Sequence, residues 1–175
     1  MKKLMFLLLI GSLLNIAPIW AAEGDWEQAK MAHERGDYAT EAAIVRPLAE
    51  QGFAFAQFNL GVLYDNGYGV PLDDLQAIEW YRKAAEQGLP QAQINLGILY
   101  EEGEGGPVDY VQAYFWYAMA DSQGDSQAPQ AKQEIIEKMT PAQVEEAERK
   151  VKEWQAAHTF PIPPLPASEP QHGNR

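Results

Sequence analysis

Apolar residues recur at three- and four-residue steps through the middle of the chain, a spacing that predicts amphipathic helices. Two stripes follow one another: Ala56, Leu60, Leu63 and Tyr64, then Ala77, Trp80, Tyr81 and Ala84. Between them, Gly67 and Gly69 permit the open backbone that ends a helix, and Pro71 prevents its continuation. Asp73, followed three positions later by Gln76, is a capping-box pattern that starts the second helix. The segment therefore predicts two consecutive helices joined by a turn.

The same pattern returns 36 residues later without a gap. Residues 53–88 and 89–124 are identical at 18 of 36 aligned positions, whereas chance at average composition gives roughly two or three. Gly61 and Gly97 are among these positions and lie in the middle of predicted helices, where glycine costs about 1 kcal/mol relative to alanine. Because this cost occurs twice at the same place, we expect the partner helix to approach closely there.

The shared spacing is Ala-x3-Leu-Gly-x-Leu-Tyr-x2-Gly-x-Gly-x-Pro-x-Asp-x3-Ala-x2-Trp-Tyr-x2-Ala-x3-Gly. It resembles the Sel-1-like repeat, a relative of the tetratricopeptide repeat, over residues 53–124. The resemblance implies an all-α fold, a right-handed α-solenoid of stacked antiparallel helix pairs. Residues 23–52 resemble a shortened first pair, in which Ala42 lies one residue out of register.

The remaining segments have their own patterns. Residues 125–158 predict a C-terminal capping helix pair, whose last helix begins at Thr140 and Pro141 and has one strongly charged face, as the end of a solenoid requires. Residues 159–175 are too rich in proline for a helix or strand, so we expect them to be extended or disordered.

The N-terminal residues 1–22 have the three-part plan of a secretory signal peptide. Lys2 and Lys3 precede an apolar run, and small residues Ala21 and Ala22 follow a breaking stretch. An uncleaved anchor is the alternative, but the apolar run is short for a spanning helix. Cleavage after Ala21 or Ala22 predicts a periplasmic or secreted protein without stable membrane insertion. The mature chain would have 11 basic and 25 acidic residues.

Composition argues against several classes of function. A formal net charge of -12 is unsuited to nucleic-acid phosphates, and the absence of cysteine excludes disulfides and thiolate metal sites. The three histidines, His33, His158 and His172, are too dispersed to predict a metal or catalytic cluster. The acidic segment 101–104 is interpreted as a solvated turn rather than a calcium site. We expect no cofactor, no metal and no catalysis.

The aromatic residues that recur between the two units raise the possibility of sugar stacking. Three pairs are involved: Tyr64 and Tyr100, Trp80 and Trp116, and Tyr81 and Tyr117. Their helical period favours a place in the core instead.

The predicted binding surface is the concave face, which the first helix of each unit lines in stacked helix pairs. The positions left on that side are Phe55, Asn59, Val62, Asn66, Gln91, Asn95, Ile98 and Glu102. Asn59 and Asn95 stand out because helix propensity does not favour asparagine. Their amides could bind an extended partner backbone, or they could bridge neighbouring units by hydrogen bonds. Both interpretations are open at this point.

These patterns favour a non-enzymatic scaffold or adaptor, monomeric, that binds a protein or peptide partner of the cell envelope. The resemblance implies such adaptor and assembly roles. A peptidoglycan-binding module or a cell-wall-related hydrolase is the alternative. A polar pocket with convergent carboxylates would favour that alternative, whereas a long open groove would favour the scaffold.

Overall fold

The computed structural model describes the backbone of residues 19–158 and the side chains of residues 24–158. The bulk of the predicted signal peptide and the whole proline-rich tail, residues 159–175, lie outside this range. Eight α-helices and no strands are found within it. In chain order they are α1 Ile19–Glu34, α2 Tyr38–Glu50, α3 Ala54–Asn66, α4 Asp74–Glu86, α5 Pro90–Glu102, α6 Tyr110–Ser122, α7 Ala128–Ile136 and α8 Pro141–Ala157.

The helices stack in chain order. Each helix from α1 to α6 packs against the next one, and α7 and α8 both pack against α6. The pairs α3–α4 and α5–α6 fall within the two predicted repeats. This arrangement confirms the all-helical solenoid that the sequence repeat implies.

The first unit, α1 and α2, differs from the others in its loop. Asp37 accepts a hydrogen bond from the backbone N–H of Thr40 and so caps α2. Asp73 caps α4 in the same way, 36 residues later. The second helix is therefore in register with the repeat, and Glu41 occupies the position that Ala77 has in the next unit.

The mid-helix glycines make room for tyrosine rings of the partner helix. A Cβ atom at Gly61 would lie 2.6 Å from Cδ1 of Tyr81, and one at Gly97 would lie 2.6 Å from Cδ1 of Tyr117. Tyr81 is fully buried there. The close approach is thus as predicted, and the group that approaches is a tyrosine ring of the partner helix.

Two of the three repeated aromatic pairs lie in the core, as predicted. Trp80, Trp116, Tyr81 and Tyr117 are buried, so these repeated aromatic residues belong to the core. The other repeated pair, Tyr64 and Tyr100, is only half-buried. Their hydroxyl groups accept hydrogen bonds from Arg46 and Arg82, respectively.

The C-terminal region contains the two expected helices. The reciprocal capping box of Thr140 and Gln143 starts α8, which confirms that helix start. The preceding helix, α7, spans Ala128–Ile136.

Candidate functional site

The structure brings part of the predicted concave surface together around one hollow. Phe55, Asn59 and Val62 of α3 line a cavity of about 210 Å³ whose other walls come from α1 and α2. Those walls are formed by Trp26, Lys30, His33 and Glu41. The other five predicted positions are not part of this hollow: Asn66, Gln91, Asn95, Ile98 and Glu102.

Aromatic rings form a continuous row beside the hollow. The rings of Trp26 and Phe55 meet edge to face with centroids 5.2 Å apart. Phe58 continues the row, 6.1 Å from Phe55 and 5.7 Å from Tyr81. Phe55 remains 49% exposed, so its ring offers apolar surface that nothing in the described structure covers.

A buried carboxylate lies at the back of the hollow. Glu41 is only 6% exposed, and its Oε2 atom is 2.9 Å from Nδ1 of His33. Buried polar groups require such partners, and His33 supplies one from the neighbouring helix. Among the residues described, the lining of this hollow contains a single carboxylate.

The two repeated asparagines have different surroundings. The Asn95 amide donates a hydrogen bond of 3.1 Å to the hydroxyl oxygen of Tyr81 in the preceding repeat. Tyr81 in turn donates to a carboxylate oxygen of Asp65 at 2.9 Å. The position equivalent to Tyr81 in the first unit is Val45, which cannot accept a hydrogen bond. Asn95 therefore bridges two repeats, whereas the Asn59 amide makes no hydrogen bond within residues 24–158.

Two equivalent carboxylates near this face have pKa values shifted in opposite directions. Burial raises the pKa of Asp65 above its usual range, and this effect exceeds the opposing hydrogen bond from Tyr81. Glu101 is also subject to burial, but hydrogen bonds from Lys138 and Tyr117, with the charge of Lys138, outweigh it and lower its pKa. Both of these hydrogen bonds are 2.6 Å long.

The environment of Glu101 corrects one prediction. Glu101 belongs to the last turn of α5 and is half-buried against Tyr117, so the interpretation of segment 101–104 as a solvated turn is wrong for this residue. Glu102 and Glu104 are exposed, as expected. The acidic run does not distinguish Glu101 from its neighbours. Its equivalence to Asp65 does, because Asp65 accepts a hydrogen bond from Tyr81 as Glu101 does from Tyr117.

Sequence reasoning missed a second, larger cavity on the second helices of the repeats. A cleft of about 710 Å³ lies between α4, α6 and α8, with contributions from the end of α5 and the following loop. Its lining includes Phe115, Trp116, Trp154 and His158. No repeat spacing could locate it, because α8 lies outside the repeated segment and its packing partner is not evident from its own pattern.

Between residues 19 and 158, no three histidine, aspartate or glutamate side chains cluster in a way that could hold a metal ion. Within the same range, every helix is too short or too polar to cross a membrane.

Comparisons with known proteins agree with the repeat. Residues 54–89 and 90–125 each match the Sel1 repeat. A protective antigen of uropathogenic Escherichia coli with an SLR fold is similar to 77% of this chain, with 32% identity and a TM-score of 0.72. A Sel1 repeat protein from Oxalobacter formigenes is similar to 65% of the chain, with 33% identity and a TM-score of 0.55. The chain spans 30% of the length of the first structure and 49% of the second. No curated protein matches the sequence.

Proposed function

Because this chain is a Sel1-repeat protein with a helical solenoid fold, we propose that it is a non-enzymatic scaffold that binds a protein or peptide partner of the cell envelope through its concave face. Sel1 repeats generally mediate interactions between proteins. Solenoids of this kind use the surface lined by their first helices for binding.

The observation that carries this proposal is the hollow between α1, α2 and α3. An exposed ring, Phe55, lies beside the amide of Asn59, which has no hydrogen-bond partner among the described residues. An extended peptide would place an apolar side chain against Phe55 and Val62, while Asn59 bonds its backbone. The apolar contact would contribute affinity for the peptide, and the hydrogen bond to Asn59 would fix the register in which the peptide binds.

The size of the hollow favours a peptide over a small-molecule substrate. Pockets for small molecules commonly measure roughly 300–1,000 Å³, whereas this hollow measures about 210 Å³. It is suited to one or two side chains of a longer segment, whose remaining residues would follow the surface of α3 and α5. Ile98, 39% exposed on α5, offers a second apolar contact one repeat away.

The two asparagines provide a matched pair of variants that tests the proposal. Asn59→Ala should weaken partner binding by about 0.5–1.5 kcal/mol, the scale of one hydrogen bond, and leave stability nearly unchanged. Asn95→Ala should instead lower the melting temperature, because Tyr81 loses a bond between repeats. The partner would first be captured from envelope extract and identified by mass spectrometry. Its affinity for both variants would then be measured by calorimetry, beside their melting temperatures.

If Asn59→Ala binds the partner as tightly as the unmodified protein, the hollow does not hold the partner backbone. Phe55→Ala then decides whether the apolar contact alone contributes. Unchanged affinity in both variants would remove this hollow from the binding site.

The envelope location rests on the sequence of residues 1–22 and has its own test. We expect protein recovered from the periplasm to begin directly after Ala21 or Ala22, which N-terminal sequencing would establish. Recovery of the chain in the membrane fraction with Met1 retained would contradict this part of the proposal.

A further inference from the structure

Among the described residues, the cleft between α4, α6 and α8 shares no lining residue with the hollow between α1, α2 and α3. Its volume of about 710 Å³ lies within the range of roughly 300–1,000 Å³ that is common for small-molecule sites. The hollow, at about 210 Å³, is below that range. The cleft is therefore a separate candidate site, and its size suits a small molecule.

The cleft exists because α8 covers α6 but leaves α4 uncovered. Phe115 and Ala118 of α6 are buried, and α8 packs against this helix. The equivalent residues of α4, 36 positions earlier, are Glu79 and Arg82, and both are exposed. Because burying such charges is costly, α4 offers α8 no face on which to pack, and a gap remains between the two helices.

Trp154 and His158 supply the accessible apolar surface of the cleft. Phe115 and Trp116 pack edge to face against Trp154, with ring centroids 5.7 and 6.2 Å away, but both of these rings are themselves buried. Trp154 is half-buried and His158 is exposed, and their two rings stack with centroids 3.8 Å apart. This stacked pair offers a ligand a rigid aromatic surface on which an apolar face can pack.

Both walls of the cleft carry charges of both signs. Arg82 and Glu86 come from α4, and Lys150 and Glu153 come from α8. Within residues 24–158 no ion pair joins these two helices, and Glu153 pairs with Arg149 of its own helix. A ligand with a net charge of either sign would face a like charge on each wall, which is unfavourable. The walls therefore favour a ligand without net charge.

The cleft lining offers both hydrogen-bond donors and acceptors that the described residues leave unused. The side chains of Gln112, Lys150 and Glu86 make no hydrogen bond within residues 24–158, and the first two are half-buried. Lysine only donates, an ionised glutamate only accepts, and glutamine does both. A neutral ligand that satisfies all three needs several groups that both donate and accept, as hydroxyl groups do.

We propose that the cleft between α4, α6 and α8 binds a short neutral oligosaccharide. A pyranose ring has apolar C–H bonds on its face and hydroxyl groups around its edge, which matches an aromatic surface between two polar walls. One ring packs on Trp154 and His158, and its hydroxyl groups bond Glu86, Gln112 and Lys150. This binding is independent of any partner held in the hollow between α1, α2 and α3.

The test is a titration of the full chain with three neutral trisaccharides, cellotriose, maltotriose and tri-N-acetylchitotriose, followed by the tryptophan indole signals in ¹⁵N–¹H spectra. At least one of them should shift the signal of Trp154 in a saturable way. The signals of Trp26 and Trp80, which lie outside the cleft, should stay in place. No shift at about 10 mM of each sugar, where a Kd in the millimolar range is detected, would overturn the proposal. So would equal shifts of all these signals.

The repeat provides a matched control for the variants. Glu86→Ala and Gln112→Ala should each raise the Kd of the bound sugar roughly 2- to 10-fold, the effect of one lost hydrogen bond. Glu50, 36 positions before Glu86, is exposed at the end of α2 and outside the cleft, so Glu50→Ala should leave the Kd unchanged. Equal melting temperatures would show that all three variants are folded. An unchanged Kd in both cleft variants would contradict the proposed contacts.

Charged sugars test the requirement for a neutral ligand. Trigalacturonate carries negative charges, and fully deacetylated chitotriose carries positive ones. The measurement is made at about 0.15 M salt, where the screening length of about 8 Å suppresses the net charge of the whole protein and leaves the charges of the cleft to decide. Both charged sugars should bind more weakly than the neutral trisaccharide. Tighter binding of either one would overturn the proposal of a neutral ligand.

Discussion

Replacing Gly61 by alanine measures how tightly the helices of one repeat are packed. In an open helical position this change stabilises a protein by about 0.5–1 kcal/mol, because alanine is the better helix former. At Gly61 the new methyl group would lie 2.6 Å from Cδ1 and 2.7 Å from Cε1 of Tyr81. Such distances are far below the optimal separation of about 3.5–4.0 Å between carbon atoms. Either the ring or the helix must therefore move.

The Tyr81 ring has little freedom to move. It is fully buried, and its hydroxyl group bonds both Asp65 and Asn95. Overpacking a core costs about 1–3 kcal/mol, which exceeds the propensity gain. We therefore expect Gly61→Ala to destabilise the protein by about 1–2 kcal/mol, or roughly 3–8 °C in Tm for a domain of this size.

The assay is urea unfolding followed by circular dichroism, with Gly24→Ala as the matched control. Gly24 also lies in a helix, but nothing is within 4 Å of the position that its Cβ would occupy. Gly24→Ala should leave stability unchanged or raise it slightly. In a Tyr81→Leu background, where the ring is absent, the cost of Gly61→Ala should shrink. Stabilisation by Gly61→Ala equal to that of Gly24→Ala would refute the packing argument.

Two further predictions follow from burial and from the pKa shifts. Trp80→Ala should cost about 3–5 kcal/mol, because the ring is 9% exposed within the core; an unchanged melting temperature would contradict this. The raised pKa of Asp65 means that the folded state binds its proton more readily, so this group lowers stability as pH rises from about 3.9 through the folded value. Glu101, whose pKa is lowered, contributes stability that is lost as pH falls from about 4.3 through its folded value. The free energy of unfolding would be measured against pH. In Asp65→Asn, the fall in stability with rising pH that Asp65 causes should disappear. In Lys138→Ala, which removes the partner of Glu101, the fall in stability with decreasing pH that Glu101 causes should shrink.

The repeat could be predicted from the sequence because the same 36-residue pattern occurs twice. A glycine that recurs in the middle of two helices, such as Gly61 and Gly97, requires a physical reason, and close helix packing was the simplest one. The sequence could not show that the close neighbour is the ring of Tyr81 rather than backbone. The stripe of apolar residues shows on which face of the helix a side chain lies, but not how deeply it is inserted between two helices.

The first unit was harder to predict because its loop between α1 and α2 is shorter than the loops in the repeats. The missing residues obscure the 36-residue relation between Asp37 and Asp73. That relation would also have aligned Arg46 with Arg82, whose guanidinium groups bond equivalent tyrosines. The cleft beside α8 was beyond reach for another reason, since it depends on a packing contact that occurs only once in the chain.

The differences between the units indicate where the chain departs from a purely structural role. Glu41 occupies the position of buried Ala77, and a buried carboxylate requires a partner, which His33 provides. Val45 occupies the position of Tyr81 and leaves the amide of Asn59 without the bond that Asn95 makes. Glu41 lines the hollow itself, and Val45, which lies in the core, affects it through Asn59, whose side chain lines the hollow. Local departures of this kind are expected at functional sites, where consistency with the fold is given up for another purpose. The proposed partner site therefore lies at the N-terminal end of the solenoid, where the repeat is least regular.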